Sequence, residues 1–255
     1  MTAIPRELGQ IWIGPLEPPL DWMRTWADMH PDWTYTLYDN AYMLSRRFRC
    51  QPLMTRYFLQ GEYAGVADLL RYEILLERGG FVAEADSECL RSVNPLAASD
   101  RPFTCYEIPP DLCVSLGMPR KKGLVCPILA SPPGHPVVEA LIDYIRQRTD
   151  PIDPPKPWKG TGNFLIRDFL RRNPPLAGQV TIHPAHYFVP VHYRGWAYDG
   201  PDEPFARQFW GTTRSGYADA LSAEEKERRR ADMLEGLMSW LTAEERAAFG
   251  SPGPT

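Results

Sequence analysis

The chain has 255 residues, of which 44% are hydrophobic and 24% charged, so it can bury the core of one large α/β domain. The net charge of −4 gives no bulk reason to expect a nucleic acid as partner. The sequence has no stretch of 18 apolar residues and no signal-peptide pattern at its N-terminus, so we expect a soluble cytoplasmic protein without a transmembrane segment.

The first forty residues follow the order strand, helix, strand. Residues 8–14 are a short apolar run that ends in a Gly-Pro turn, residues 20–29 place apolar side chains at helical spacing, and residues 34–38 are β-branched and aromatic. This order predicts the opening of an α/β domain.

The clearest helix is predicted over residues 65–78, where two glycines supply the C-terminal stop. A strand over residues 81–86 follows directly. A further helix is predicted over residues 135–148, with Pro136 in its first turn.

The C-terminal part has two capping-box patterns, one starting at Ser222 and one at Thr242, so we expect two further helices. We expect a main domain over residues 1–220, a helical extension over 221–250 and a flexible tail over 251–255. An apolar stripe lies between the two caps, and its default use is packing against the main domain, with an acceptor or partner surface as the alternative. The stripe consists of Met233, Leu234, Leu237, Met238 and Leu241.

The cysteines favour a reducing compartment. They are five in number and lack the spacing of zinc sites, so free thiols are expected. They are Cys50, Cys89, Cys105, Cys113 and Cys126.

Two pairs of charged residues suggest a binding site. Asp68 and Arg71 lie three residues apart on one helix face, which by itself indicates only a surface ion pair. The predicted strand that follows ends in Glu84 and Asp86, which alternation would point to the same side. Two neighbouring carboxylates repel unless a cation or hydrogen-bond donors intervene, and Mg²⁺ or Mn²⁺ often bridges a carboxylate to phosphates.

The two pairs of charged residues lie in two conspicuous sequence segments that follow each other closely along the chain. ADLLRYEIL at 67–75 and GGFVAEADSE at 79–88 closely resemble the sugar-binding region of DXD-motif glycosyltransferases. That group includes fungal initiating α-1,6-mannosyltransferases, inositol-phosphoceramide mannosyltransferases and, more distantly, clostridial glucosylating toxins. QIWIG at 10–14 resembles the first strand of the group, and the resemblance covers residues 4 to about 95.

The resemblance implies a GT-A fold, a Rossmann-like sheet with helices on both faces that binds a nucleoside diphosphate sugar at its strand ends. It implies that Trp12 stacks on the nucleotide base and that Asn40 lies near the nucleoside. Asp68 and Arg71 would bind the transferred sugar, with Arg71 also near the phosphates.

The resemblance also implies a divalent metal, Mn²⁺ or Mg²⁺, held chiefly by Asp86, with Glu84 at the ribose or the metal. Glu84 replaces the usual first Asp of the motif, which keeps the charge but moves the oxygens. Near the C-terminus a His-x-Trp block is frequent in the group, and this chain has Gln208 in place of that His. Gln208 and Thr212 are further candidate members of the metal site.

The predicted activity is transfer of a hexose-type sugar, with retention, to an unknown acceptor, which can be a saccharide, a lipid, a protein or a small natural product. The motifs identify no catalytic nucleophile. Two alternatives remain open at this point: a nucleotide-sugar hydrolase that uses water as the acceptor, and a non-catalytic sugar-nucleotide-binding protein.

Overall fold

The computed structural model describes residues 3–112, 123–211, 217 and 221–249. Cys113, Thr212 and the predicted tail lie outside the described residues. None of the helices within those ranges is long and apolar enough to cross a membrane.

Eight strands form within these residues. They are β1 (Glu7–Ile11), β2 (Thr34–Tyr38), β3 (Gly80–Ala83), β4 (Ser87–Cys89), β5 (Phe103–Cys105), β6 (Ala130–Ser131), β7 (Thr181–His183) and β8 (Ala206–Gln208). Six of them make one sheet in the order β2-β1-β3-β6-β5-β7, and β4 pairs with β8 in a separate antiparallel ribbon. β1 runs parallel to both β2 and β3, so the carboxyl ends of these three strands meet at one edge.

Eleven helices form in the described part of the chain, and the last two of them follow the last strand. They are α1 (Leu20–Asp28), α2 (Asn40–Leu44), α3 (Gln51–Leu59), α4 (Tyr63–Glu77), α5 (Asn94–Ala97), α6 (Pro136–Arg148), α7 (Pro157–Gly160), α8 (Asn163–Arg172), α9 (Pro174–Ala177), α10 (Ala223–Ser239) and α11 (Ala243–Ala248). A 3₁₀ turn spans Ala185–Tyr187.

The sheet has a buried apolar cluster on each face. Adjacent residues of β3 pack into the clusters on opposite faces of the sheet, because side chains alternate along a strand. Val82 packs into the cluster formed with α3, α4, α6 and α8, whereas Phe81 packs beside Trp26 of α1. Helices therefore cover both faces, as the predicted GT-A-like α/β fold requires.

The predicted strand over residues 81–86 is wrong at its C-terminal end. β3 ends at Ala83, where its pairing with Gln10 of β1 also ends. Beyond that point the carbonyl of Glu84 accepts hydrogen bonds from the Gln10 side chain (3.3 Å) and from Ser87 Oγ (2.7 Å) instead of a ladder partner. Glu84 and Asp86 thus lie on the turn after the strand, and strand alternation does not explain their common direction.

The C-terminal helices begin where the sequence predicted. Ser222 caps α10, and Thr242 forms a complete capping box with Glu245 at the start of α11. The apolar stripe packs against the main domain, since Met233 and Leu237 join the helix-side cluster. The use of the stripe for packing is confirmed, and the domain boundary near residue 221 stays a prediction.

The predicted free thiols are confirmed for the four described cysteines. Three of them are buried, and Cys126 is half-buried.

Candidate functional site

A cavity of about 460 Å³ opens at the carboxyl ends of β1 and β3. Ligand sites of open α/β sheets lie at such an edge, and this volume is typical of small-molecule sites. The lining comes from the end of β1 and the loop after it (residues 11–13 and 15–16), from residues 61–64, 67, 68 and 71 in and before α4, from the end of β3 and the turn after it (residues 83–86), and from Gly211 and Tyr217.

Trp12 lines this cavity, and its side chain is half-buried. Its indole N–H donates to the carbonyl of Leu16 at 2.7 Å, and its ring meets that of Tyr217 edge to face at 4.8 Å. The loop after β1 therefore fixes one edge of the indole and presents an aromatic surface to the cavity.

Asn40 is not among the residues that line the cavity. Its side-chain oxygen accepts the backbone N–H of Gly14 at 3.0 Å, and its side-chain nitrogen donates to the Gly14 carbonyl at 2.9 Å. Gly14 has φ +118°, a conformation that favours glycine. Asn40 thus fixes the loop that carries Trp12, and the structure places it behind that loop.

Asp68 projects from α4 into the cavity, and its Oδ2 accepts a hydrogen bond from Thr161 Oγ1 at 2.8 Å. A Cβ on Gly162 would lie only 3.3 Å from the same oxygen, so glycine allows this close approach. Burial raises the pKa of Asp68 to about 7, although the Arg71 charge and the Thr161 hydrogen bond act in the opposite direction. The carboxyl therefore titrates near neutral pH.

Arg71 is the central cation of the cavity, and its side chain is only 4% exposed. One terminal nitrogen donates to the carbonyl of Val82 at 3.0 Å, and the other donates to Glu84 Oε1 at 2.7 Å. Its Nε is buried and has no hydrogen-bond partner among the residues that the structure describes. The surface ion pair between Asp68 and Arg71 that sequence alone would suggest does not form, because Arg71 pairs with Glu84.

Asp86 is a buried residue of the cavity lining, and three other described residues donate hydrogen bonds to its carboxylate. Gln208 Nε2 donates to Oδ1 at 2.5 Å, while the backbone N–H of Gly211 (2.7 Å) and the hydroxyl of Tyr217 (3.3 Å) donate to Oδ2. Burial, followed by the nearby charge of Glu84, raises the pKa of Asp86, although the donors oppose this shift.

The small ribbon explains how Gln208 reaches Asp86. β4 follows the acidic turn directly, and its register with β8 places Ser87 opposite Gln208. The backbone N–H of Phe209 then donates to the carbonyl of Asp86 at 2.9 Å. The structure therefore brings Gln208 to the predicted site, where its amide donates to Asp86.

A divalent metal at Asp86 would need a substrate to complete its coordination. The described residues contain no group of three or more His, Cys, Asp or Glu side chains that would hold a metal. Mg²⁺ and Mn²⁺ at nucleotide sites need only one or two carboxylates besides the phosphates. A half-turn of the Gln208 amide would present its oxygen beside Asp86.

Sequence reasoning did not identify Thr161, Gly211 or Tyr217 as site residues. Thr161 and Gly211 lie in two of the short blocks where the resemblance is patchy, TGN at 161–163 and FWGT at 209–212. No local sequence pattern indicates Tyr217 as a site residue, because its hydroxyl donates to Asp86, which lies 131 residues away in the chain.

Comparison with known proteins agrees with this geometry. Residues 20–103 match the family model described as the glycosyltransferase sugar-binding region containing the DXD motif. That segment includes Asn40, Asp68, Arg71, Glu84 and Asp86 and excludes both Trp12 and Gln208.

A solved structure similar to this chain is the PaToxG glycosyltransferase, with a TM-score of 0.50 and 13% sequence identity. The match covers 98% of this chain and 85% of that one, and at this identity it shows the fold. No curated protein sequence matches the chain. The predicted resemblance, GT-A-like fold and enzyme class are thereby confirmed: residues 20–103 match the DXD-type sugar-binding region of glycosyltransferases, and the fold of the chain is similar to that of a glycosyltransferase.

Proposed function

We propose that the protein transfers a hexose-type sugar from a nucleoside diphosphate to an acceptor, with retention and with a divalent metal. The observation that carries the proposal is that one cavity combines three kinds of surface. Trp12 supplies an aromatic face, Asp68 and Arg71 supply hydrogen-bonding groups, and Asp86 supplies a fixed carboxylate. A base, a sugar and a metal-bound diphosphate each require one of these.

At the base end, Trp12 and Tyr217 form an aromatic corner. Stacking on an aromatic ring is worth about 1–3 kcal/mol per base and tolerates different bases. Asn40 supports this end indirectly through its two hydrogen bonds to Gly14.

At the sugar end, Arg71 has a buried Nε–H without a partner in the described part of the chain. An unsatisfied buried donor costs about 1–3 kcal/mol, so an oxygen of the bound donor would remove that cost. Thr161 donates to Oδ2 of Asp68, and no described residue is a hydrogen-bond donor to Oδ1, so Oδ1 can accept a sugar hydroxyl. Both groups position the sugar for reaction.

At the diphosphate end, Asp86 and Gln208 would hold the metal, and Glu84 would contact the ribose or the metal. The metal would supply positive charge to neutralise the departing diphosphate. Glu84 is already neutralised in part by Arg71, at 2.7 Å, which reduces its repulsion of the phosphates. The guanidinium of Arg71 would also stabilise negative charge that develops on the leaving group.

The acceptor is a saccharide, a lipid, a protein or a small natural product. The free thiols of the described cysteines support a cytoplasmic location as part of this proposal.

Product analysis with a panel of nucleotide sugars tests the function. The protein is incubated with each donor in Mn²⁺, with and without a mixture of acceptors from the four classes. Transfer of the sugar supports the proposal. Release of free sugar at the same rate with and without acceptors indicates a hydrolase, and nucleotide binding without any turnover indicates a non-catalytic binder.

A further inference from the structure

A second buried polar cluster lies outside the lining of the donor cavity, and the proposed function assigns it no role. The carboxylate of Glu107 faces His192 Nε2 at 2.9 Å, and the two side chains are only 8% and 0% exposed. The side-chain nitrogen of Asn163 donates to the other oxygen of Glu107. Both oxygens of this buried carboxylate therefore have partners.

The hydrogen bonds fix the tautomer of His192. Its Nδ1 accepts the backbone N–H of Arg194 at 3.2 Å, so Nε2 carries the hydrogen and donates to Glu107. Replacing a buried ionic or polar pair by apolar residues of similar volume is often neutral or stabilising. A gain in folding stability is therefore a weak explanation for the presence of this pair. A role in fixing the geometry of the neighbouring residues explains it better.

One end of the cluster reaches the sugar end of the donor cavity. Asn163 begins α8, two residues after Thr161, whose hydroxyl donates to Asp68 at 2.8 Å. The carboxylate of Glu107 thus holds the segment that carries the partner of Asp68.

The other end reaches Trp210. The ring of His192 meets that of Trp210 edge to face at 4.8 Å. Trp210 has φ +60°, and no other non-glycine residue in the described ranges has a positive φ. For a bulky side chain this conformation is an outlier that persists only where the surroundings fix it. The surroundings here are the His192 ring, the Tyr193 ring at 5.0 Å and the carbonyl of Val191, which accepts the indole N–H at 3.1 Å.

The conformation of Trp210 has a direct consequence for Asp86. The next residue along the chain is Gly211, whose backbone N–H donates to Asp86 Oδ2 at 2.7 Å. Rotation of the Trp210 backbone to the ordinary helical or extended region would redirect that N–H. The left-handed turn at Trp210 therefore sets one of the three hydrogen bonds that orient the Asp86 carboxylate.

We propose that the Glu107–His192 pair is a positioning element of the donor site, which holds Trp210 in its left-handed conformation and so keeps the Gly211 N–H on Asp86. Through Asn163 the same carboxylate fixes the sugar end, so the pair sets the spacing between the two ends of the donor. The inference rests on the proposed function, because the role of Asp86 at the metal-bound diphosphate comes from there.

The first test uses Glu107→Gln and His192→Gln in the full chain. The carboxamide introduced by Glu107→Gln has an NH2 group in place of one carboxylate oxygen, so His192 and Asn163 can no longer each donate to an oxygen of their own. His192→Gln removes the ring that packs on Trp210. Calorimetry measures the dissociation constants of UDP, GDP, ADP, CDP and TDP in Mn²⁺. For each nucleotide that the wild type binds, both variants should bind about 10- to 100-fold more weakly, as substitutions behind metal ligands do.

Leu237→Ala is the matched control, because Leu237 is a fully buried residue of α10 and is not among the residues that line the donor cavity. It should lower the melting temperature at least as much as Glu107→Gln and leave nucleotide affinity at the wild-type value. Equal losses of affinity in Leu237→Ala and Glu107→Gln would show a general effect of destabilisation and overturn the inference.

A double-mutant comparison tests the mechanism itself. Glycine adopts positive φ without strain, so in a Trp210→Gly background the further loss from Glu107→Gln should shrink to about threefold or less. An undiminished loss in that background, or wild-type affinity in both single variants, would overturn the positioning role while the proposed function stands. A wild-type protein that binds none of the five nucleotides would overturn both.

Discussion

The carboxylate of Asp86 accepts a hydrogen bond at 2.5 Å from Gln208, which lies 122 residues further along the chain. This contact joins the acidic turn to the C-terminal strand that pairs with β4. In the proposed metal site, rotation of this amide would turn its oxygen toward the metal, because the amide carries an oxygen beside its nitrogen.

Replacing Asp86 by Asn should abolish most of the turnover and leave the fold intact. The change is nearly isosteric, but it replaces a charged metal ligand by a neutral one. Loss of one strong electrostatic contact to a transition state typically costs about 100- to 1000-fold in rate. Steady-state kinetics at saturating Mn²⁺ measure the effect, and circular dichroism checks the fold.

The exposed Asp100 provides the matched control, since Asp100→Asn makes the same chemical change outside the cavity. It should keep wild-type kinetics. Wild-type turnover in Asp86→Asn would show that Asp86 is not the metal anchor.

Glu84→Asp should keep measurable activity, because it restores the usual residue of the motif and preserves the charge beside Arg71. Glu84→Ala should lose more activity and also lower the melting temperature, because Arg71 is buried and would lose its ionic partner. Activity assays and thermal unfolding of the two variants separate these effects. Equal activity in both variants would count against a role for the carboxylate.

Asp68 should make the stability of the ligand-free protein depend on pH. Its pKa is raised from 3.8 to about 7 in the folded state, so the folded protein holds this proton more tightly than the unfolded chain does. The resulting stabilisation is complete below about pH 4 and is lost as the pH rises to about 7.

Asp68→Asn removes this titration while the side-chain oxygen can still accept from Thr161. The melting temperature of the variant minus that of the wild type should therefore increase between about pH 4 and pH 7 and stay level above. A difference that is constant over this range would contradict the raised pKa.

Asn40→Ala should raise the KM for every nucleotide sugar by a similar factor and change kcat little. The reason is that Asn40 holds the loop of Trp12 through Gly14 and does not line the cavity. Donor kinetics with two different bases measure this. If Asn40 contacted the nucleoside directly, its replacement would alter the preference between bases.

Local sequence patterns predicted the parts of the fold whose signals are local. β2 lies where the β-branched and aromatic run predicted it, and α10 and α11 begin at their capping residues because a cap is a contact between near neighbours. The predicted strand over residues 81–86 was too long, because the end of β3 depends on where its partners β1 and β6 stop.

The residues of the candidate site also divide into those that local sequence patterns indicate and those that only the tertiary structure brings in. Asp68, Arg71, Glu84 and Asp86 lie within 19 residues of one another in the sequence, and the structure places all four in one cavity. The contacts from Gln208, Gly211 and Tyr217 arise from tertiary structure, which a single sequence does not encode at short range. The resemblance pointed to Gln208 by position, but not to its role as a donor to Asp86.

The most direct test of the donor site is the metal dependence of nucleotide binding. Asp86 and Glu84 should repel the diphosphate unless a cation lies between them. Calorimetric titration of the wild type with the nucleoside diphosphate that stabilises it most should show clear binding in Mn²⁺ and at least about tenfold weaker binding in EDTA. Equal affinity under both conditions would contradict a donor site organised around a metal at Asp86.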